Sequence, residues 1–318
     1  MEKVIDRVFK THNLSSKEIC GILHSENIDY LTEKANQTRE NFIGNSVKVI
    51  GLMHISNICS QNCLYCDNRK DNPKQRFSYS ETDIINIVKE FSKTSIKNII
   101  LKTGESSSVS VKGIAEAISR LRIFGIKVIP SLEERNEGEY RMLQEAGAEE
   151  IILNLKTSSF TLFGELHPQM NLLGRVAALR FLKGRNIKTC SGILIGFPNQ
   201  TYSSIADDIL LMKEMNIDSV EIIPFMPSKN SPLKDEPSVN IEKVMKIIST
   251  VRLLIPNINI SISEDINEID ENGMLKCLDC GANIIIKNLT DIDCHKKEID
   301  ITSLKETLKS ARRIYHDK

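Results

Sequence analysis

Val47-Lys48-Val49-Ile50-Gly51-Leu52-Met53-His54-Ile55 runs straight into Ser56-Asn57-Ile58-Cys59-Ser60-Gln61-Asn62-Cys63-Leu64-Tyr65-Cys66-Asp67, and this junction decides the reading of the chain. The first half is an apolar run of strand length. The second half sets three cysteines at C-x3-C-x2-C spacing within eight residues, 59–66. Thiolates are soft ligands that suit zinc or iron–sulfur clusters. A structural zinc site closes with four ligands, usually as two pairs. Here three cysteines share one short loop and no fourth stands close by. On a four-iron cubane, three thiolates leave one iron open, able to bind a small chelating ligand and pass it an electron. The rival reading is a zinc knuckle, which would make the chain a zinc-stabilised binding module and no enzyme.

Outward from this junction the pattern alternates. Short apolar runs at 47–55, 98–101, 127–131, 150–154, 188–195, 219–223, 258–262 and 282–286 predict strands. Amphipathic stretches at 81–95, 109–124, 137–146, 174–184, 203–215 and 241–254 predict helices between most of them, with a last helix at 301–315. Strands separated by helices indicate βα units and a parallel sheet. Eight is the strand count of a closed (β/α)8 TIM barrel, whose functional residues sit at the C-terminal strand ends. The cysteine loop follows the first strand, where such a barrel would hold a reactive centre. Residues 1–45 read as two or three helices, with Ser15 or Ser16 as a cap, and form an N-terminal helical extension. Residues 46–318 form the barrel, with 264–276 and 287–300 as loops near its mouth. Cys20 reads as a small core residue.

Composition narrows the function. The chain has 318 residues, 41% hydrophobic, enough for one large domain. Forty-two basic residues balance forty-two acidic ones, so charge gives no case for nucleic acid or an anionic membrane. No apolar run reaches eighteen residues, so no membrane span is expected, and the charged start Met1-Glu2-Lys3-Val4-Ile5-Asp6-Arg7 has no signal-peptide core. Eight cysteines, three of them clustered, suit metal ligation in a reducing cytoplasm better than a disulfide framework.

Other strand ends carry candidate chemistry. Gly104-Glu105 follows the second strand; the glycine permits close backbone approach and the glutamate can accept from an ammonium. Asn154 and Lys156 end the fourth strand, and Arg175, with Arg180 as its alternative, can pair bidentately with a carboxylate. Cys277 and Cys280 form a C-x2-C pair, with Cys294 thirteen residues on and Cys190 on the fifth strand. Such a set can hold zinc or a second iron–sulfur cluster. His295 is a further possible ligand, although the charged run His295-Lys296-Lys297-Glu298 reads as surface.

The cysteine loop, with Tyr65 just before the third cysteine, resembles the radical S-adenosylmethionine (SAM) superfamily. That resemblance implies a [4Fe–4S] cluster on Cys59, Cys63 and Cys66 that cleaves SAM to a 5′-deoxyadenosyl radical. It also implies that Gly104 and Glu105 meet the methionine amino group of SAM and that Arg175 meets its carboxylate. Asn154 and Lys156 would contact ribose or substrate. The strand from Gly192 through Ile195 to Gly196, and Phe225 with Met226, would lie beside adenine. Within the superfamily the chain is similar to the group of biotin synthase, the hydrogenase maturase and methylornithine synthase. Lys188-Thr189-Cys190-Ser191-Gly192 is similar to biotin synthase, which implies sulfur insertion into dethiobiotin from an auxiliary cluster on Cys190, Cys277, Cys280 and Cys294. Two further cysteines of the usual biotin synthase cluster are absent near Lys102 and Ile129. Gly104-Glu105 and Pro224-Phe225-Met226-Pro227 look more like the hydrogenase maturase. An electron donor such as flavodoxin or ferredoxin, and a homodimer, are further implications of the resemblance.

Overall fold

The computed structural model describes residues 1–91, 95–106, 110–290 and 301–316. Three helices open the chain: α1 (Glu2–Thr11), α2 (Ser16–His24) and α3 (Ile28–Phe42). Ser15 caps α2 in a capping box with Glu18, each satisfying a backbone N–H of the other. The eight barrel strands follow: β1 (Ser46–His54), β2 (Asn98–Lys102), β3 (Lys127–Ser131), β4 (Glu150–Ile152), β5 (Lys188–Ile195), β6 (Ser219–Pro224), β7 (Asn259–Ser263) and β8 (Ile284–Asn288). Between them lie α4 (Glu81–Phe91), α5 (Val111–Ile123), α6 (Glu137–Ala146), α7 (Phe160–Leu166), α8 (Leu172–Gly184), α9 (Tyr202–Glu214), α10 (Ile241–Leu254) and α11 (Gly273–Asp279). After α12 (Ile301–Ser310) a short β9 (Ile314–His316) pairs with the start of β1.

Every pairing is parallel, in the order β3-β2-β1-β8-β7-β6-β5-β4. This is a nearly closed eight-stranded barrel, with β3 and β4 adjacent but not hydrogen-bonded in the ladder. The seam falls where β4 is only three residues long.

Strand alternation sorts side chains to two cores. Ile50 and Leu52 of β1 join Ile100, Ile129, Ile152, Cys190, Ile284 and Ile286 inside the barrel. Val47, Val49 and Met53 face the helical layer. The N-terminal helices share that outer layer, since Ile5, Val8, Ile19, Ile22 and Leu31 belong to the same core as the α9 and α10 side chains.

The sequence pattern misses some elements. Two helices, not one, link β4 to β5, because the seven residues of α7 are too few for a clear period. Residues 264–276 are not irregular: a 3-10 helix at Glu264–Glu268 leads into α11. The last helix stops at Ser310 and β9 takes the predicted end of it.

Buried Arg252 explains why 251–256 and 280–283 have distinctive sequences. Its guanidinium donates to the carbonyls of Gly281 (2.9 Å), Pro256 (2.8 Å) and Ile258 (2.7 Å) and to Asn283 Oδ1 (3.0 Å). Gly281 sits at φ 114°, and a Cβ there would come within 2.8 Å of the Arg252 stem.

Asp208 on α9 is also buried. Its Oδ1 accepts from Ser158 N (2.5 Å), Ser158 Oγ (2.6 Å) and Thr157 Oγ1 (3.2 Å), while Oδ2 has no partner. Burial pushes its carboxyl up from 3.8 to about 7, outweighing these bonds. The folded state therefore favours the protonated form. The contribution is fully present below about 3.9 and is lost as pH rises through about 7. Asp208→Asn keeps the Oδ1 acceptor and removes the charge. The variant should be more stable than the parent by on the order of 2 to 4 kcal/mol at pH 8, and nearly equal at pH 4, in parallel denaturant titrations.

Candidate active site

The cysteine loop leaves β1 at the C-terminal mouth of the barrel and is fixed from several sides. Arg76 gathers its backbone, donating to the carbonyls of Asn57 (2.8 Å), Asn68 (3.0 Å), Arg69 (2.7 Å) and Asn72 (3.0 Å). Asp67 accepts from Lys74 (2.7 Å), Ser228 (2.9 Å) and Asn230 (3.0 Å), which ties the loop to the segment after β6. Ser60 donates through both N (2.7 Å) and Oγ (2.8 Å) to the Glu105 carbonyl.

Gly104 makes the second closure. A Cβ at Gly104 would lie 2.5 Å from the Ile58 carbonyl oxygen and 2.8 Å from Cys59 Cβ. The glycine thus admits the cysteine loop itself. Both neighbours are held by backbone, so Gly104→Ala must move Cys59. SAM cleavage should fall on the order of 10²-fold, the loss expected from a misplacement of about 1 Å. Parental activity in Gly104→Ala would show that the contact is dispensable.

The three cysteines, Tyr65, Gly104, Glu105, Asn154 and Lys156 line one cavity of about 150 Å³, together with His54, Lys102, Glu133, Met170 and Leu194. Cys63 is buried, and burial pushes its thiol up to about 12 and raises that of Cys66. For Cys63 and Cys66 the neutral thiol is therefore favoured without a cation, and bound iron would supply the charge that stabilises their thiolates. Among the described residues no three Cys, His, Asp or Glu side chains converge as one metal ion requires. A four-iron cluster spreads its ligands over a larger body than a single zinc ion does. Around the cavity, Gln61 Oε1, Asn68 Oδ1, Thr103 Oγ1, Asn154 Oδ1 and Arg175 Nε are buried without partners. Groups of this kind signal a missing ligand. Three thiols on a fixed loop and a fringe of unsatisfied polar atoms fit a cluster with SAM on its open iron.

Tyr65 fixes the loop sideways. Its hydroxyl lies 2.9 Å from His167 Nε2, and His167 Nδ1 lies 3.0 Å from the Phe163 carbonyl. A carbonyl only accepts, so Nδ1 carries the proton and Nε2 accepts from the tyrosine. Burial and nearby Lys156 hold His167 down to about 3, so the ring is neutral.

Arg175 is fully buried and joins three walls. It donates to Glu133 Oε2 (3.0 Å), the Asn154 carbonyl (3.0 Å) and Glu105 Oε2 (3.4 Å). Lys156 Nζ lies 3.3 Å from Glu133 Oε2. Despite its burial, Glu133 is held at about 2 by Lys156 and Arg175. Glu105 is raised, first by burial and then by Glu133. Glu133 and Lys156 both have left-handed backbones, φ 60° and 74°, unusual for side chains of this size. Strain of this kind gathers at functional sites. Sequence reading missed Glu133; its position just past the end of β3 was the available signal. Arg180 lies exposed on α8 and reaches none of this.

Other candidates scatter. Gly192 faces the barrel interior, where a Cβ would meet Ile223 Cδ1 (2.5 Å) and Asn154 Oδ1 (2.8 Å). Ile195 belongs to the outer core, and its neighbour Leu194 lines the cavity instead. Phe225 packs in a cluster with Leu162, Leu166, Leu194 and Phe197, and neither it nor Met226 lines the cavity. Cys190 stands inside the barrel, whereas Cys277 of α11 and Cys280 just past its end lie in the helical layer. The structure does not bring these thiols together. Cys294 and His295 lie outside the described residues.

Comparison with known proteins agrees with this geometry. Residues 53–212 match the model of the radical SAM superfamily. The chain is 30% identical over 291 residues to the [FeFe] hydrogenase maturase subunit HydE of Thermotoga maritima, covering 91% of this chain and 83% of the relative. It is 27% identical to a biotin synthase of Staphylococcus haemolyticus, covering 81% of this chain and 83% of that one. The crystal structure of methylornithine synthase superposes with TM-score 0.87 at 22% identity, covering 98% of this chain and 97% of that one, which shows a shared fold.

Proposed function

This chain belongs to the radical SAM superfamily, and from that premise we propose that it transforms a small polar molecule held inside its barrel, as a maturase-type enzyme. Cys59, Cys63 and Cys66 would hold the cluster, which when bound would supply the electron for reductive cleavage of SAM. The protein's part is to orient and enclose. Glu105, Glu133 and Arg175 form a charged wall for the polar head of SAM, and Lys156 sets Glu133. Hydrophobic packing of Leu162, Leu166, Phe197 and Phe225 behind Tyr65 keeps water from the cysteine loop. A flavodoxin or ferredoxin would deliver the electron, in an anaerobic cytoplasm. No helix among the described residues is long and apolar enough to cross a membrane.

The observation that carries the maturase reading is the placement of the remaining thiols. Sulfur insertion into dethiobiotin needs a sulfur-donating cluster near the substrate, and Cys190 is separated from Cys277 and Cys280 by the strand layer. Extended similarity to the hydrogenase maturase supports the same choice. Cys190 keeps sulfur insertion as a second reading, because it alone of these thiols points into the barrel. The test is anaerobic reconstitution followed by SAM, reductant and dethiobiotin. The expected outcome is 5′-deoxyadenosine without biotin, and restored hydrogenase activity when the gene replaces the maturase in a deletion strain. Biotin or a thiolated intermediate would overturn the maturase reading.

A further inference from the structure

Beneath the cysteine loop the barrel interior turns charged, and two opposite charges are left facing each other. Lys102 ends β2 and lines the cavity. Glu221 lies on β6, in register with Gly192 of β5 and Ser261 of β7. Around the ring β2 and β6 are diametrically placed, with β1, β8 and β7 between them on one side and β3, β4 and β5 on the other. Among the described residues the Lys102 ammonium makes no hydrogen bond or ion pair. Glu221 is half-buried, accepts a hydrogen bond from the Asn154 side chain, and feels the Lys102 charge without forming an ion pair with it. Asn154 Oδ1, beside them, is a buried acceptor with no donor. Gly192 supplies the space, since a side chain there would collide with Asn154 and Ile223.

Charges taken out of water need partners, and leaving one alone is strongly destabilising. Here a cation and an anion, held on opposite walls by rigid strands, do not reach each other. A ligand with both charges satisfies both walls at once. A neutral ligand satisfies neither, and a dianion meets repulsion from Glu221. Resting on the radical SAM reading of the cavity that Lys102 and Asn154 line, with Glu221 two residues below the lining residue Ile223 on β6, we propose that the substrate is an amino-acid zwitterion whose carboxylate meets Lys102 and whose ammonium meets Glu221 and Asn154 Oδ1. Its side chain would then point up the barrel toward the cysteine loop, where a hydrogen atom can be taken.

The test is a binding measurement on the anaerobic holoprotein with SAM. The free L-amino acids are screened by saturation-transfer NMR, and the best binder is compared with its Nα-acetyl derivative, its methyl ester and dethiobiotin. At least one amino acid should bind, and blocking either end should weaken it about tenfold or more. Glu221→Gln should weaken the free amino acid and abolish discrimination against the acetyl derivative. Lys102→Met should abolish discrimination against the ester. Glu221→Asp, which keeps the charge, should retain preference for the free amine and guards against a folding artefact. Binding indifferent to blocking, preferential binding of dethiobiotin, or no amino-acid binding at millimolar concentration overturns the inference. If none binds while SAM still perturbs the cluster's electron paramagnetic resonance (EPR) spectrum, the inference fails and the radical SAM reading stands. If SAM leaves that spectrum unchanged, the reading itself fails.

Discussion

Cys63→Ala abolishes both the cluster and SAM cleavage, with 5′-deoxyadenosine formation falling on the order of 10⁴-fold or more, to background. Of the three cysteines Cys63 is the most enclosed, and burial is the largest of the causes that raise its thiol to about 12. The loop around it is held without the metal: Arg76, Asp67 and Ser60 make their contacts through backbone and side chains of the protein. Folding should therefore survive the substitution while iron binding does not. The check is iron and sulfide content after anaerobic reconstitution, visible absorbance near the cluster band, and a circular dichroism melt. A Cys63→Ala protein with full iron content and turnover would remove this cysteine from the site. Comparable losses follow for Cys59 and Cys66, because two thiolates leave two irons of the cube without protein ligands.

Arg252→Met should produce the largest loss of stability of any single substitution argued from the fold. It fills similar volume but leaves Gly281, Pro256 and Ile258 carbonyls and Asn283 Oδ1 without their donor. Several buried acceptors orphaned together cost about 4 kcal/mol, and the melting temperature should drop by roughly 10 °C. Although burial lowers its guanidinium to about 9, it remains charged at neutral pH, so Arg252→Lys, with three donors in place of five, should recover only part of the loss. Differential scanning calorimetry decides this, and an unchanged midpoint in Arg252→Met contradicts it. Because α10 and the start of β8 lie outside the cavity, cluster content in the surviving folded fraction should match the parent.

The barrel and its cysteine loop were legible because both are written in contiguous residues. Eight buried strands recur between helical spacers, and the loop carries its three thiols within one turn of chain. Glu133 was not legible in that way. It stands in a charged run, Glu133-Glu134-Arg135, and nothing local separates it from its neighbour. Only the return of the chain places it against Lys156 and Arg175. Arg76 was hidden for another reason, since all its partners are backbone carbonyls, which any sequence possesses. Glu221 did leave a trace, as an acid at an inward position of an otherwise apolar strand, Ser219-Val220-Glu221-Ile222-Ile223. The cysteine pair at 277 and 280 shows the opposite case, a clear local signal that the described residues do not join to Cys190. Its spacing resembles a ligand pair, yet α11 and the residue that caps it turn both thiols into the hydrophobic layer, where burial raises them well above the ordinary range and Ser249 is hydrogen-bonded to Cys280.

The most direct measurement is EPR of the dithionite-reduced, anaerobically reconstituted protein, before and after SAM, with 5′-deoxyadenosine quantified in the same tubes. A [4Fe–4S] cluster on Cys59, Cys63 and Cys66 with one open iron should give a reduced-cluster signal that shifts when SAM binds, and 5′-deoxyadenosine should accumulate with equimolar methionine. A colourless protein that binds only zinc, or a cluster signal indifferent to SAM with no 5′-deoxyadenosine formed, would contradict the account at its centre.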